Sequence, residues 1–205
     1  MSGRPLIHVV EDDDSLRISL VELLELAGFE TRAYSSSCAF LLQPIPDRPG
    51  CILLDVRLPG PSGLDLQSAL QSHGISQPIV FLSGHADVAT SVRAMKAGAV
   101  DFLEKPVERG TLLNAIARGL ERDAEQRRLR EAVHAKETRL ARLTPRERDV
   151  FDRIVRGQRN QLIADELGIS LRTVKAYRAQ LMEKLGVTSA AELGRVAGEA
   201  RSTSS

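Results

Sequence analysis

Cysteine, long apolar runs and net charge are all scarce in this chain. Only two cysteines, Cys38 and Cys51, occur among its 205 residues, and both lie in apolar stretches. A disulfide framework is therefore excluded, and free thiols in a reducing compartment are expected. No apolar run approaches the ~20 residues of a membrane helix, and no signal peptide stands at the start of the sequence. A cytoplasmic protein without a membrane partner is expected. The formal net charge is only +1, but that figure hides an asymmetry. Residues 1–120 carry 10 basic and 14 acidic residues, net −4. Residues 121–142 carry 7 and 5, and residues 143–205 carry 11 and 8, net +2 and +3. The basic surplus lies at the C-terminal end, as a nucleic-acid contact requires. The length suits one α/β domain and one small domain.

What is present begins with crowded acid. Glu11, Asp12, Asp13 and Asp14 follow directly on the apolar run Leu6-Ile7-His8-Val9-Val10. Neighbouring carboxylates repel and raise one another's pKa. A hard cation relieves that cost, so the turn reads as half of a Mg²⁺ (or Mn²⁺) site. The other half stands at the end of a second apolar run, where Cys51-Ile52-Leu53-Leu54 meets Asp55. Asp is also an ordinary N-cap, and Asp13 or Asp14 can cap a helix starting near Ser15.

Two further runs end in polar groups. Pro78 to Leu82 stops at Ser83-Gly84, and Val100 to Glu104 stops at Lys105-Pro106. Helical spacing lies between the runs: Leu16, Leu20, Leu23, Leu24 and Ala27 share a face, and Gly28 is a stop signal. A strand over residues 29–34 and helices over 37–42, 63–72 and 88–97 complete the alternation, with Ser62 and Asp65 as a capping pair. Strands that are continuously apolar rather than alternating predict a parallel sheet covered on both faces. The expected fold is α/β, a doubly wound five-stranded parallel (βα)5 sheet. Ligands bind such sheets beyond the carboxyl ends of the strands, where the four polar ends can converge.

The residue types then suggest a chemistry. A carboxylate can act as a nucleophile and form an acyl phosphate. A transferring phosphoryl group needs cations and donors around it. Asp55 is the candidate nucleophile and Glu11 and Asp12 the metal ligands. Lys105 and Ser83 are candidates for binding the phosphoryl oxygens, and Gly84 leaves room for the incoming group.

The pattern Glu11-Asp12, Asp55, Ser83-Gly84 and Lys105-Pro106 resembles the receiver domain of two-component response regulators, over roughly residues 5–120. The resemblance implies a sensor histidine kinase as phosphoryl donor. It implies that the backbone carbonyl of Arg57 completes the metal site, and that the peptide before Pro106 is cis. Phe102 would turn inward when Ser83 moves, and Arg57 and His85 would tune phosphoryl lifetime. An equally open reading of His85 is a solvated loop histidine. Glu11 stands where the family more often has Asp. His8, His73 and His134 show no ligand spacing and read as structural or solvent-facing.

From Glu108 to Leu143 only Gly110 and Gly119 oppose a helix. Leu113, Ile116 and Leu120 share the face expected to pack on the sheet. Leu129, Val133 and Leu140 fall on nearly the opposite side. Either a solvated linker or a signalling helix whose stripe meets another domain or protomer accounts for them. The domains are therefore drawn as 1–121, a helical linker 122–142, and 143–205.

The last segment opens with a strong helix start: Thr144 as N-cap, Pro145 at the first position and Glu147 closing a capping box. Phe151, Ile154 and Val155 give its apolar face, and Gly157 ends it. A short helix over 160–167, a turn at Gly168-Ile169-Ser170 and a helix over 171–185 fit a helix-turn-helix. A fourth helix, opened by Ser189 and Glu192, would complete a small all-α domain. Val174, Leu181 and Leu185 face its core, with Tyr177 at the flank. Arg172, Lys175, Ala176 and Ala179 face away, which suits a major groove. The alternative is a solvated helix in a small bundle.

Residues 141–200 look like a LuxR-type DNA-binding domain, and the whole chain resembles FixJ/NarL-class transcriptional regulators, closest to the FixJ-like branch. That resemblance puts DNA contacts on Arg172, Thr173, Lys175, Ala176, Arg178, Ala179 and Lys184. Gln161 and Tyr177 stand where the family usually has Lys and His. It further implies promoter DNA as partner, a homodimer on phosphorylation with Val92, Arg93, Lys96 and Asp101 as interface candidates, and RNA polymerase as a further partner the class allows. Two rival readings are a phosphatase, which usually needs an acid at the position of Arg57, and a purely protein-binding module. No enzyme beyond transfer to and from Asp55 is expected.

Overall fold

The computed structural model describes residues 3–84, 88–189 and 192–194. The chain divides into two compact units, Met1–Arg127 and Arg128–Ser205.

In the first unit, strands β1 (Leu6–Val10), β2 (Glu30–Tyr34), β3 (Gly50–Asp55), β4 (Ile79–Ser83) and β5 (Asp101–Glu104) alternate with α1 (Asp14–Leu26), α2 (Ser37–Leu41), α3 (Gly63–Ser72) and α4 (Val88–Lys96). All strand pairs are parallel, in the order β2-β1-β3-β4-β5. The element ends differ from the sequence reading by a residue or so, as fraying termini do. Every residue of β1, β3 and β4 is buried. The edge strand β2, Glu-Thr-Arg-Ala-Tyr, is mostly exposed, because only one of its sides is paired.

Successive residues of a strand point to opposite faces, and the core divides accordingly. Ile7, Val9, Leu53, Val80 and Leu82 pack with Leu20, Leu24, Leu112, Ala115 and Ile116 on one face. Val10, Ile52, Leu54 and Phe81 pack with Phe40, Leu66, Leu70 and Ala94 on the other. At about 1.5–3 kcal/mol for each fully buried large apolar side chain, these two layers dominate the unit's stability. Helix caps follow the local code. Asp13, not Asp14, accepts from the Leu16 amide at 2.9 Å, and Ser62 with Asp65 forms a complete capping box.

His8 is the polar exception within β1. It is 1% exposed, and its Nδ1 lies 3.1 Å from the Tyr34 hydroxyl. Burial, reinforced by the charges of Arg32 and Arg48, lowers its pKa from 6.5 to about 4. The unfolded chain therefore takes up this proton first, and folding stability falls as the pH drops from about 6.5 to 4. At 1.36 kcal/mol per unit, the full loss is on the order of 3 kcal/mol. Glu11 acts with the opposite sign, since its pKa is raised from 4.5 to about 7, but it titrates in wild type and variant alike. Denaturant titrations across this pH range should therefore show His8→Val gaining stability relative to wild type as the pH falls, by up to about 3 kcal/mol. Parallel pH curves would refute the assignment.

Helix α5 (Arg109–Ala141) runs without a break through Gly110 and Gly119. Leu112, Ala115 and Ile116 are its most buried apolar residues, with Leu113 and Leu120 partly covered. Of the second stripe, Leu129 is exposed, Val133 is half-buried, and Leu140 is buried in the core of the second unit. The stripe is thus solvated at Leu129 and packed within the second unit at Leu140. Among the described residues, no helix is long and apolar enough to cross a membrane.

The second unit contains α6 (Pro145–Val155), α7 (Asn160–Leu167) and α8 (Leu171–Leu185). Thr144 and Glu147 form the expected capping box. Gly168 turns the chain in the left-handed region at φ 64°, and Ser170 caps α8 by accepting from the Thr173 amide at 3.1 Å. Val150, Phe151, Ile154, Ile163, Val174, Leu181, Leu185 and Leu193 fill the core. Residues 192–194 are helical, and the Ser189 hydroxyl accepts from the Glu192 amide at 3.2 Å. The remainder of the expected fourth helix lies outside the described residues.

Candidate functional site

Parallel pairing brings the carboxyl ends of β1, β3, β4 and β5 to one edge of the sheet. The four acids of the first turn then part company. Asp13 caps α1, and Asp14 pairs with Arg17. Glu11 is 1% exposed, and Asp12 faces solvent beside it. Backbone contacts fix this turn: the Glu11 amide donates to the Tyr34 carbonyl at 3.0 Å, and Arg17 donates to the Glu11 carbonyl at 2.8 Å.

Asp55 closes β3 and is 5% exposed. Its Oδ1 accepts from the Arg57 amide at 3.0 Å, and its Oδ2 accepts from Lys105 Nζ at 2.6 Å. The same ammonium donates to Glu11 Oε2 at 2.7 Å. Lys105 is carried there by the end of β5, with its amide on the Ser83 carbonyl at 2.8 Å and a cis bond to Pro106. Ser83, at the end of β4, is buried beside Glu104 in the sheet register. Phe102 is half-buried, its ring 6.1 Å from that of Phe81. Arg57 is exposed at the rim, and His85 lies outside the described residues.

The electrostatics follow from two buried acids sharing one lysine. Burial pushes Glu11 up to about 7; the Lys105 hydrogen bond opposes this, and the Asp55 charge adds to it. Burial pulls the Lys105 pKa down, but its hydrogen bonds to Asp55 and Glu11 outweigh that and leave it raised. Carboxylate oxygens of Glu11, Asp12 and Asp55 all lie within 4.8 Å of one another. An all-oxygen donor set, part buried and open to solvent on the Asp12 side, fits a hard divalent cation that keeps some of its waters.

In the second unit, Arg172, Lys175, Ala176 and Ala179 are exposed along one face of α8, and Thr173 is held at the cap by Ser170. Two cations expected to touch DNA are engaged within the protein. Arg178 donates to Asn160 Oδ1 at 3.0 Å, tying α8 to the start of α7. Lys184 is engaged through two contacts. Its ammonium sits 2.7 and 2.8 Å from the two oxygens of Glu147, which is 3% exposed. A buried carboxylate needs a partner, so Lys184 serves the fold of the domain. The sequence reading used Glu147 only as a cap and missed this pairing, since no local signal joins residues 37 positions apart. Gln161 donates to Asp165 at 3.1 Å, and Tyr177 is partly buried at the core flank.

On α4, Val92, Arg93 and Lys96 are exposed, together with Val88 and Met95. Asp101 differs from its companions. Its carboxylate pairs with Arg118 and accepts from the Phe102 amide at 2.9 Å, so it is already engaged.

Comparison with known proteins agrees with this fold. Residues 7–117 match the model of the response regulator receiver domain, and residues 141–197 that of the bacterial regulatory proteins of the luxR family. The transcriptional regulatory protein FixJ of Azorhizobium caulinodans is 44% identical over 93% of this chain and 90% of its own. Nodulation protein W of Bradyrhizobium diazoefficiens is 42% identical over 95% and 86%. Among solved structures, the response regulator StyR aligns at a TM-score of 0.86 with 43% identity, over 96% of this chain and all of that one. Full-length FixJ from B. japonicum aligns at 0.58 with 38% identity, over 98% of both. The chain belongs to the response regulators, with a receiver domain followed by a LuxR-type DNA-binding domain of the FixJ kind.

Proposed function

We propose that Asp55 is the phosphoacceptor of this regulator and that a sensor histidine kinase is its donor. The single observation behind this reading is the Lys105 ammonium bridging Glu11 and Asp55 at the carboxyl edge of the sheet. Asp55 Oδ would attack phosphorus, the P–N bond to the donor histidine would break, and the histidine nitrogen would leave and take up a proton. Glu11, Asp12, Asp55 and the carbonyl of Arg57 would hold Mg²⁺ (or Mn²⁺). When bound, the metal supplies charge neutralisation for the phosphoryl oxygens. Lys105 and Ser83 bind the remaining oxygens, and Phe102 follows Ser83 inward. The chemistry is confined to transfer to Asp55 and hydrolysis from it.

Roles follow the chain: receiver at 1–121, helical linker at 122–142, and DNA reading at 143–205. Phosphorylation alters the α4–β5 surface and promotes dimerisation through Val92, Arg93 and Lys96, with Asp101 the weakest member because Arg118 holds it. Two α8 helices then address half-sites about one DNA turn apart in promoters. Lys175, Ala176 and Ala179 face the bases, and Arg172, Thr173 and Arg178 face phosphate. Contact with RNA polymerase and work in the cytoplasm complete the proposal. Turning a mostly inactive population into a mostly active one needs about 5.5 kcal/mol of differential stabilisation.

Acetyl phosphate with Mg²⁺ should add one phosphoryl group, labile to hydroxylamine as acyl phosphates are. A chelator should prevent the addition. An unchanged mass after treatment would overturn the proposal. On the DNA side, Lys175→Ala should weaken binding to a duplex selected from a randomised pool by roughly 5- to 150-fold, the value of one good base contact. Its thermal midpoint should stay at the wild-type value, because Lys175 is exposed. Undiminished binding would remove Lys175 from the interface.

A further inference from the structure

The base of the receiver sheet, opposite the phosphorylation site, carries a second charged cluster that the sequence motifs did not touch. Asp123 on α5 is 1% exposed. Its Oδ2 accepts from the amide of Gly50 at 3.1 Å and from Arg127 Nε at 2.9 Å. Arg127 also donates to Asp47 at 2.7 Å and to the Arg48 carbonyl at 2.5 Å. Arg48 in turn grips Glu30 of β2 at 3.0 and 2.7 Å.

One turn earlier, α5 comes so close to β3 that a Cβ on Gly119 would lie 2.8 Å from Cys51 Sγ. Gly119, Asp123 and Arg127 are spaced i, i+4, i+8 and so share one face of the helix. They form a seam that docks α5 on the first residues of β3. That strand begins at Gly50 and ends at Asp55, about 17 Å away at ~3.3 Å per residue. The seam's last member, Arg127, is also the last residue of the first compact unit. Beyond it, residues 128–132 are largely exposed.

Accepting the proposed role of Asp55, we infer that Asp123 and Arg127 are positioning residues that tie the signalling helix to the phosphoacceptor strand. The receiver and the first five turns of α5 then move as one body. A change at Asp55 reaches the helix through β3 and its clamp rather than through the linker's own surface. A buried carboxylate and a five-donor guanidinium make this joint specific, because removing Arg127 leaves the buried Asp123 charge with only the Gly50 amide to meet it.

The test uses the full chain as wild type, Arg127→Ala and Asp123→Asn. Phosphoryl incorporation from acetyl phosphate with Mg²⁺ is measured alongside affinity for a duplex that wild type selects from a randomised pool, with and without phosphorylation. The variants should incorporate phosphate within about twofold of wild type. Their ratio of phosphorylated to unphosphorylated affinity should fall towards one, from a wild-type value in the range of about 5–150-fold seen for coupled sites. Arg127→Lys, with its point charge in place of a fork, should keep part of the ratio. A clamp that merely stabilises would lower the thermal midpoint of both forms and leave the ratio unchanged, and that result overturns the inference. Should Asp123→Asn fail to fold, Asp47→Ala and Arg127→Lys decide the matter: a partial loss of the ratio supports coupling, and a full ratio refutes it. A wild-type affinity that ignores phosphorylation sinks the functional reading itself, before any variant is compared.

Discussion

Asp55→Asn should take up no phosphoryl group from acetyl phosphate, and its DNA affinity should not respond to the treatment. Asn has nearly the shape of Asp, so the buried end of β3 should keep its packing. What changes is charge and nucleophilicity. The carboxamide oxygen cannot form an acyl phosphate, and the amide presents donors to the ammonium of Lys105, which now lies 2.6 Å from Asp55 Oδ2. Glu11 is left as the main partner of that lysine, and one of the causes that raises its pKa is gone. The variant should therefore be no less stable than wild type without divalent cation. A second readout separates the metal from the chemistry. Wild type should gain thermal stability with rising Mg²⁺, as any protein does with a ligand bound only by its folded form. Asp55→Asn should lose most of that gain. Phosphorylation at another carboxylate in the variant, with normal activation, would show that the nucleophile had been misassigned.

Gly63→Ala should damage both stability and phosphorylation. Gly63 opens α3, and its amide donates to the Val56 carbonyl at 3.0 Å. A Cβ there would stand 2.2 Å from the carbonyl oxygen of Asp55 and 3.2 Å from Leu54 Cγ. The nearest obstacle is backbone, so no side chain can rotate away. Either α3 or the end of β3 must move. Overpacking of a tight core costs about 1–3 kcal/mol, and this contact belongs at the upper end. The displaced element carries the reacting carboxylate, and a misplacement of about 1 Å can cost roughly a hundredfold in rate. Denaturant unfolding and the rate of phosphoryl uptake would measure the two effects. Wild-type values for both would mean that the close approach at Gly63 is relieved without disturbing Asp55.

Much of this was legible in one dimension. The strand ends Asp55, Ser83 and Lys105 could be read because apolar runs stop abruptly at them. The caps at Ser62, Thr144 and Ser170 could be read because a cap and its partner lie three residues apart. The limits of α3 and α8 coincide with their sequence readings for the same reason, and α7, which has no side-chain cap, is bounded by the Gly168 turn. The faces of α8 followed from helical period alone, with Val174, Leu181 and Leu185 buried and Lys175 and Ala179 exposed. Sequence spacing also offered Gly119, Asp123 and Arg127 as one helical face. That face continues the buried side of Leu112 and Ile116, but its residues there are no longer apolar, so the hydrophobic pattern stopped short of it.

By itself the sequence determined the order of elements, the two-sided parallel sheet, the convergence of polar strand ends and the family to which they belong. These are consequences of periodicity and of contacts within a few residues, which chain geometry enforces locally. Only the tertiary structure decided which acid does what in the first turn, that Lys184 belongs to Glu147, that Asp101 belongs to Arg118, and that Asp123 holds the start of β3. The last three of those pairings join positions 17 to 73 residues apart, and Glu11 meets Lys105 across 94. A buried charge takes whichever partner folding brings within about 3 Å, and that distance is set by packing, not by spacing along the chain.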